Sequence, residues 1–188
     1  GVAALLVSIT ALAAPLSNAG ASWMLTAYYF ELDEHERKVM LFNQLLLDFM
    51  LRMVVVFILY LLGSYMLPLI FENYRPEYLT YYELVLASAA LGALWPCVSS
   101  LLILESKALT FFLIEILRLI STVIALGYIA FFFTQKEFLL YLPSVLSGLT
   151  VMCVVASIAF KNSSFTVDSS WMKKSIKIGI TSMPSGVM

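Results

Sequence analysis

The stretch Asn43–Leu62, NQLLLDFMLRMVVVFILYLL, decides the fold class of this chain. Almost all of its residues are apolar, and about 20 such residues in an α-helix cross the hydrocarbon core of a bilayer. Its first half nevertheless contains Asp48 and Arg52, two opposite charges spaced i, i+4. The stretch therefore predicts a transmembrane helix that carries two charges inside the membrane.

The composition of the whole chain agrees with this prediction. Its 188 residues are 62% hydrophobic and only 12% charged, whereas soluble domains contain about 25% charged residues. So few polar residues cannot cover a soluble surface, and a polytopic membrane protein is expected. The net charge of −1 and the lack of a basic stretch interleaved with aromatic residues give no indication of nucleic-acid binding.

Motifs for catalysis or for metal and cofactor binding are missing from the sequence. It contains no Gly-rich phosphate loop, no Ser-His-Asp arrangement and no His/Cys/Asp/Glu cluster with metal-ligand spacing. Cys97 and Cys153 lie in apolar stretches, which is typical of buried thiols. The only histidine, His35, lies in a charged segment that predicts a solvated surface position. We therefore expect neither an enzyme nor a cofactor.

Five apolar stretches are long enough to span a membrane, and a sixth begins near Ile176. The five predicted spans are 2–30, 39–71, 82–104, 109–133 and 138–160, with a linker over 161–175 and the start of another helix over 176–188. They are too long for the strands of a membrane barrel and lack its alternation of polar and apolar residues. The sequence thus predicts an all-α transmembrane bundle. Both chain ends lie inside apolar segments, from which we expect an internal fragment of a longer protein.

The distribution of Lys and Arg predicts the orientation of these spans. Alternate loops place seven basic residues on one side and only Arg75 and Lys136 on the other. The seven are Arg37, Lys38, Lys107, Lys161, Lys173, Lys174 and Lys177. Since cytoplasmic loops are rich in Lys and Arg, we expect the 31–38, 105–108 and 161–175 loops in the cytoplasm.

Four charged residues at membrane depth are candidate functional residues: Asp48, Arg52, Glu115 and Arg118. A helical rise of 1.5 Å per residue places Asp48 about 15 Å and Arg52 about 20 Å from Lys38. Glu115 and Arg118, spaced i, i+3, repeat the pairing of opposite charges on one helix face. Two interpretations remain open. The pairs either hold helices together inside the bundle, or they line a polar cavity that a substrate or ion crosses.

The first predicted span contains a stripe of small and polar residues at helical spacing. Its polar members, which are candidate cavity-lining residues, are Ser8, Asn18, Ser22 and Thr26. Such stripes usually mark close helix packing. The alternative is a cavity wall on a helix that Pro15 and Gly20 allow to bend.

The order of segments resembles a known transporter family. The features that carry the resemblance are a small-residue helix that ends in an aromatic run, the loop LDEHERK, and a basic amphipathic stretch followed by small residues. The matching positions are Tyr28, Tyr29, Phe30, Lys173, Lys174, Lys177, Gly179, Pro184, Ser185 and Gly186. In these features the chain resembles bacterial polysaccharide flippases of the Wzx type. That family belongs to a superfamily that also contains lipid II flippases and multidrug and toxin extrusion transporters.

The resemblance implies a fold, a cargo and a location. The chain would supply helices two to six of the first six-helix lobe and the start of helix seven, in a two-lobed alternating-access transporter. The cargo would be an undecaprenyl-pyrophosphate-linked oligosaccharide for O-antigen or capsule synthesis, moved across the bacterial inner membrane. No bond would be made or broken.

The resemblance also implies a role for the basic cluster Lys173, Lys174 and Lys177. One hypothesis is that these residues extend to anionic lipid head groups at the cytoplasmic surface. The other is that one of them contacts the pyrophosphate of the cargo.

Three other functions are weighed against a flippase. A drug or cation antiporter of the same superfamily would require acidic groups in its cavity, for which Asp48 is the candidate. A membrane-embedded polymerase, ligase or acyltransferase would require catalytic residues on a large outer loop, and the outer loop here is only ENYRPEYLTY. A structural membrane anchor would not require paired charges at membrane depth.

Overall fold

The computed structural model describes residues 21–132 and 141–182, and these residues form seven α-helices and no strand. The helices are α1 (Ala21–Tyr28), α2 (Glu34–Ile70), α3 (Glu77–Leu91), α4 (Trp95–Leu104), α5 (Ala108–Phe132), α6 (Leu142–Asn162) and α7 (Ser169–Ser182). The predicted all-α fold is confirmed for this part of the chain. Of the first predicted span, only the end that forms α1 lies within the described residues.

Four helical segments are long and apolar enough to cross a membrane. They are Glu34–Ile70, Glu77–Leu104, Ala108–Phe132 and Leu142–Asn162. Only 11% to 33% of the most apolar window of each segment is buried inside the protein. The remaining apolar surface faces outward, as it does in a bundle surrounded by lipid.

Helix α2 begins five residues before the predicted span 39–71. Asp33 caps its first turn, where one carboxylate oxygen accepts a hydrogen bond of 2.8 Å from the backbone N–H of Glu36. The 37 residues of α2 give a length of about 55 Å, which exceeds the hydrocarbon thickness of about 30 Å. Its charged first turns therefore extend beyond the apolar part of the bundle.

The predicted span 82–104 is two helices, α3 and α4, that are separated at residues 92–94. Pro96 has no N–H with which to bond the carbonyl of Gly92, and Trp95 donates to that carbonyl at 3.3 Å instead. The helical hydrogen bonding is interrupted at this point, and α4 starts anew with Pro96 in its first turn.

The turn between α4 and α5 is short because Ser106 adopts a left-handed conformation, with φ of 55°. The N–H of Lys107 then reaches back to the carbonyl of Leu102 at 2.8 Å. This bond closes the end of α4 in a Schellman-type cap, although glycine is the usual residue at that position. Lys107 also forms an ion pair of 2.7 Å with Glu105, and this contact raises the pKa of the lysine.

The predicted linker 161–175 is shorter in the structure, where α6 extends to Asn162 and α7 begins at Ser169. Asp168 explains the early start of α7. Its carboxylate accepts hydrogen bonds from Ser170, including the backbone N–H at 2.8 Å, and these bonds lower the pKa of the carboxyl group. Helix α7, which corresponds to the sixth predicted segment, thus starts seven residues before Ile176.

Asn43 fixes this linker against α2. Its amide nitrogen donates to the carbonyl of Thr166 at 2.8 Å, and its amide oxygen accepts from the N–H of Asp168 at 2.7 Å. Ser164 also donates its N–H to the carbonyl of Lys38 at 3.0 Å. The chain after α6 is therefore held along the first turns of α2.

Two apolar clusters lie at opposite ends of the bundle. One joins α1, α2, α4 and α6 near the three loops predicted to be cytoplasmic. The other surrounds the α2–α3 turn and contains the stacked rings of Tyr81 and Tyr141, whose centroids are 5.2 Å apart. The α2–α3 turn therefore lies at the end of the bundle opposite the three loops that are predicted to be cytoplasmic.

Candidate functional site

The structure contains a cavity of about 440 Å³ among α2, α3, α4, α5 and α6, which we call the arginine cavity. It lies beside the break between α3 and α4, so that both Gly92 and Pro96 contribute to its wall. Its polar and charged lining residues are Arg52, Ser88, Arg118, Thr122, Ser144 and Ser147. The rest of the wall is formed by Leu91, Gly92, Trp95, Pro96, Gly148, Val151, Met152 and Val155.

Two of the predicted charged residues meet in this cavity. Arg52 comes from α2 and Arg118 from α5, and both line the cavity. Neither Asp48 nor Glu115, their predicted partners, is part of the lining. Among the residues that the structure describes, the lining of the arginine cavity therefore carries two positive charges and no carboxylate.

The hydroxyl groups of the cavity are arranged to accept hydrogen bonds. Thr122 donates its own hydroxyl hydrogen to the carbonyl of Arg118 at 2.8 Å, and Ser147 donates to the carbonyl of Ser144 at 3.2 Å. Each oxygen keeps lone pairs after donating. The cavity thus combines cationic donors with neutral acceptors.

Asp48 occupies a different environment and does not line the arginine cavity. It is 2% exposed and accepts a hydrogen bond of 3.1 Å from the amide of Gln44, while Arg52 interacts with it electrostatically. The amide oxygen of Gln44 in turn accepts a hydrogen bond from the hydroxyl of Ser175 on α7. Arg52 thus acts on Asp48 only electrostatically, and a direct ion pair between them stays a prediction. Asp48 also belongs to a buried network that connects α2 to α7.

The pair Glu115 and Arg118 is only loosely formed. The nearest charged atoms, Oε1 of Glu115 and Nη1 of Arg118, are 3.9 Å apart, and both side chains are partly exposed. At this distance the two groups do not form a hydrogen bond. The guanidinium of Arg118 is therefore not committed to its helical neighbour.

Neither Thr26 of the small-residue stripe nor any lysine of the basic cluster lines the arginine cavity. Ser8 and Asn18 are outside the described residues, and Ser22 lies in α1, but its side chain is not described. Thr26 is exposed. The stripe thus remains a prediction.

The structure separates the three lysines of the basic cluster. Lys173 and Lys177 are exposed on α7. The ammonium group of Lys174 instead lies 4.4 Å from the ring centre of Trp171 and 5.9 Å from that of Tyr28. A cation over aromatic rings is attracted to their faces, so Lys174 helps to hold α7 against α1.

Several lining residues were not predicted from the sequence, although α6 carries a signal that identifies them. Ser144, Gly148, Val151 and Val155 recur at intervals of three or four, and Ser147 lies three residues after Ser144 and four before Val151, which places all five on one helix face. The stripe of small residues in α6 is the counterpart of the stripe that was noted in the first span. Gln44 and Ser175 carry no such signal because they meet only after folding.

Within the two described ranges, no group of three or more His, Cys, Asp or Glu side chains could hold a metal ion. Comparisons of the chain with protein-family models, with curated proteins and with solved structures find no match to any of them. The function must therefore be argued from the site itself.

Proposed function

We propose that this protein translocates a lipid-linked oligosaccharide across a membrane, and that the arginine cavity binds the pyrophosphate of that cargo. The cargo class would be an undecaprenyl-pyrophosphate-linked oligosaccharide for O-antigen or capsule synthesis. The membrane would be the bacterial inner membrane, crossed several times by the chain. Transport of this kind requires no covalent chemistry by the protein.

The observation that carries the proposal is the meeting of Arg52 and Arg118 in one cavity between membrane-spanning helices. A charge at membrane depth is costly, by about 2.5–3.5 kcal/mol on insertion scales, and is usually retained for function. Two cations from separate helices would replace the hydration shell of an anion that cannot enter hydrocarbon unaided. Guanidinium groups suit phosphate because their planar N–H donors bind two oxygens at once.

The neutral part of the wall supports the same cargo. The hydroxyl oxygens of Thr122 and Ser147 are available to accept hydrogen bonds from sugar hydroxyls. Trp95 contributes an aromatic ring to the lining. The volume of about 440 Å³ lies within the usual range for small-molecule sites, so the cavity would hold the pyrophosphate end and leave the lipid tail in the bilayer.

The sign of the charge favours an anionic cargo over the cations of a drug antiporter. An antiporter would require carboxylates in its cavity, but Asp48 and Glu115 are not part of this wall. Asp48 instead accepts a hydrogen bond from Gln44 within the buried network. We therefore place the antiporter second.

The test is a flipping assay with the intact protein in liposomes. A fluorescent polyprenyl-pyrophosphate oligosaccharide is incorporated, and its transfer between leaflets is followed with a reductant that does not cross the membrane. A hydrogen bond to a charged group contributes about 1.5–3 kcal/mol, which corresponds to about 10- to 150-fold. We expect Arg52→Gln and Arg118→Gln each to slow flipping by at least about tenfold.

The matched control is Arg75→Gln, which removes the same charge at an exposed position in the α2–α3 loop, outside the cavity. It should flip the lipid at the wild-type rate. Equal amounts of inserted protein must be shown for all three variants. Wild-type flipping by the doubly substituted Arg52→Gln, Arg118→Gln protein would refute the proposal.

A further inference from the structure

A second polar pocket lies at the end of the bundle where the three basic loops meet. It has a volume of about 450 Å³ and is formed where α1, α2, α4 and α6 converge. Its apolar floor is formed by Leu25, Leu41 and Leu101, and a charged rim surrounds the floor. We call it the interfacial pocket, because its apolar floor and charged rim match the boundary between hydrocarbon and head groups.

The charges of the rim leave an excess of positive charge. Arg37, Lys38 and Lys161 are the cations, and Glu34 and Glu105 are the carboxylates. Glu34 is paired with Lys38, with 2.6 Å between Oε1 and Nζ. Glu105 is paired with Lys107, which is not a lining residue, so its charge is also compensated.

Arg37 and Lys161 therefore face the interfacial pocket without a paired carboxylate among the described residues. Arg37 is held in place rather than mobile. Its Nε donates to the carbonyl of Asp33 at 3.3 Å, and its guanidinium carbon lies 5.1 Å from the ring centre of Tyr29. The hydroxyl of Tyr29 donates to Glu105 at 3.1 Å, which fixes the ring beneath the arginine.

We propose that the interfacial pocket binds the phosphate of an anionic membrane lipid, held between Arg37 and Lys161. The apolar floor would contact the start of the acyl chains, and the two cations would bind the phosphodiester. Basic residues at this depth attract anionic head groups electrostatically. This site is separate from the arginine cavity, and the proposal does not depend on the identity of any cargo.

The test uses the intact protein, purified in neutral detergent after exposure to vesicles of phosphatidylglycerol and phosphatidylcholine. Native mass spectrometry then counts the lipid that stays bound, since diffuse electrostatic attraction does not survive transfer to neutral detergent. We expect one phosphatidylglycerol to be retained in preference to phosphatidylcholine. Its affinity should fall about fivefold in Arg37→Gln or Lys161→Gln and about thirtyfold in the double variant.

Two further variants distinguish the pocket from general surface charge and from loss of structure. Arg75→Gln removes one exposed positive charge from the α2–α3 loop, outside the pocket, and should retain the lipid as the wild type does. The exchange of both residues, Arg37→Lys with Lys161→Arg, preserves both charges and should restore retention. Equal losses in Arg75→Gln and Lys161→Gln would overturn the proposal.

A soluble phosphate ion is the other ligand that could bind between the same two cations. Inorganic phosphate at millimolar concentration is therefore added before the lipid is counted. If the site is built for a lipid, the acyl chains hold the ligand and the phosphate does not displace it. Displacement of the lipid by inorganic phosphate would overturn the lipid assignment.

Discussion

At the scale of single residues, Gln44 determines how the charge on Asp48 is accommodated. Its amide group donates to Asp48 and accepts from Ser175, so one side chain connects a buried carboxylate on α2 with a hydroxyl on α7. All three residues are at most 2% exposed. In such surroundings a hydrogen bond is stronger than in water, and a missing one is correspondingly costly.

Ser175→Ala tests this network. The substitution leaves the amide oxygen of Gln44 buried without its donor, which costs about 1–3 kcal/mol. The loss should loosen α7 from α2, so amide hydrogen exchange across residues 169–178 should become faster by about 5- to 150-fold. Hydrogen–deuterium exchange measured by mass spectrometry provides the comparison with the wild type.

Ser157→Ala is the matched control for that substitution. Ser157 is exposed on α6 and donates only within its own helix, to the carbonyl of Cys153. Exchange in α7 should be unchanged in this variant. If the amides of α7 exchange as slowly in Ser175→Ala as in the wild type, the network does not hold α7 in place.

At the scale of helices, α2 and α3 approach each other closely at Gly63. The ring of Tyr82 lies directly against this glycine, and its hydroxyl donates to the carbonyl of Leu59, one turn earlier, at 3.0 Å. Small residues allow helices in a membrane to pack this closely. Gly63 is thus required for its lack of a side chain, about two turns before the end of α2.

Gly63→Ala should destabilise this crossing. The added methyl group would overlap the ring of Tyr82, which is only 3% exposed and has little room to move. Overpacking of this kind costs about 1–3 kcal/mol. Gly127→Ala is the control, because nothing lies within 4 Å of the methyl group that it adds. Thermal unfolding in detergent should show a lower midpoint for Gly63→Ala only, and equal midpoints for both variants would contradict the close packing.

At the scale of the whole molecule, the two ends of the bundle differ in chemistry. One end gathers the basic residues Arg37, Lys38 and Lys161 around the interfacial pocket. The opposite end contains packed tyrosines, among them Tyr74 and Tyr78, whose ring centres are 6.2 Å apart. Aromatic residues are enriched at both membrane boundaries, whereas an excess of Lys and Arg is typical of the cytoplasmic side.

Cysteine labelling in intact cells tests the orientation that this asymmetry predicts. His35 and Glu72 are exposed at opposite ends, and neither caps a helix. Single cysteines are introduced there after Cys97→Ala and Cys153→Ala have removed the native thiols. An impermeant thiol reagent should label position 72 and leave position 35 unmodified until the cells are opened. Labelling of position 35 in intact cells would show that the orientation is the opposite of the predicted one.

The sequence predicts those parts of the structure that depend on local pattern. Long apolar runs predict α2, α5 and α6 to within a few residues, because a helix must satisfy its own backbone in lipid. The early start of α2 was also present in the sequence, as the capping pair Asp33 and Glu36. The break after α3 was not predicted, because membrane helices often tolerate a proline such as Pro96.

The candidate site was predicted only in part, for a physical reason. Arg52 and Arg118 are conspicuous because charges are rare at membrane depth, but their meeting in one cavity depends on how α2 packs relative to α5. The contact between Gln44 and Ser175 joins positions 131 residues apart. Local spacing contains no information about such a contact, since it forms only when α7 docks.

The break between α3 and α4 has a consequence for how the chain enters the membrane during synthesis. The 15 residues of α3 and the 10 residues of α4 extend only about 22 Å and 15 Å, and each is shorter than the hydrocarbon core of about 30 Å. The insertion machinery selects segments by their length and hydropathy, so neither half qualifies alone. The 28 residues from Glu77 to Leu104 must enter as one unit. The break contributes Gly92 and Pro96 to the arginine cavity. The broken segment can still be inserted into the membrane only because the residues on both sides of the break are apolar.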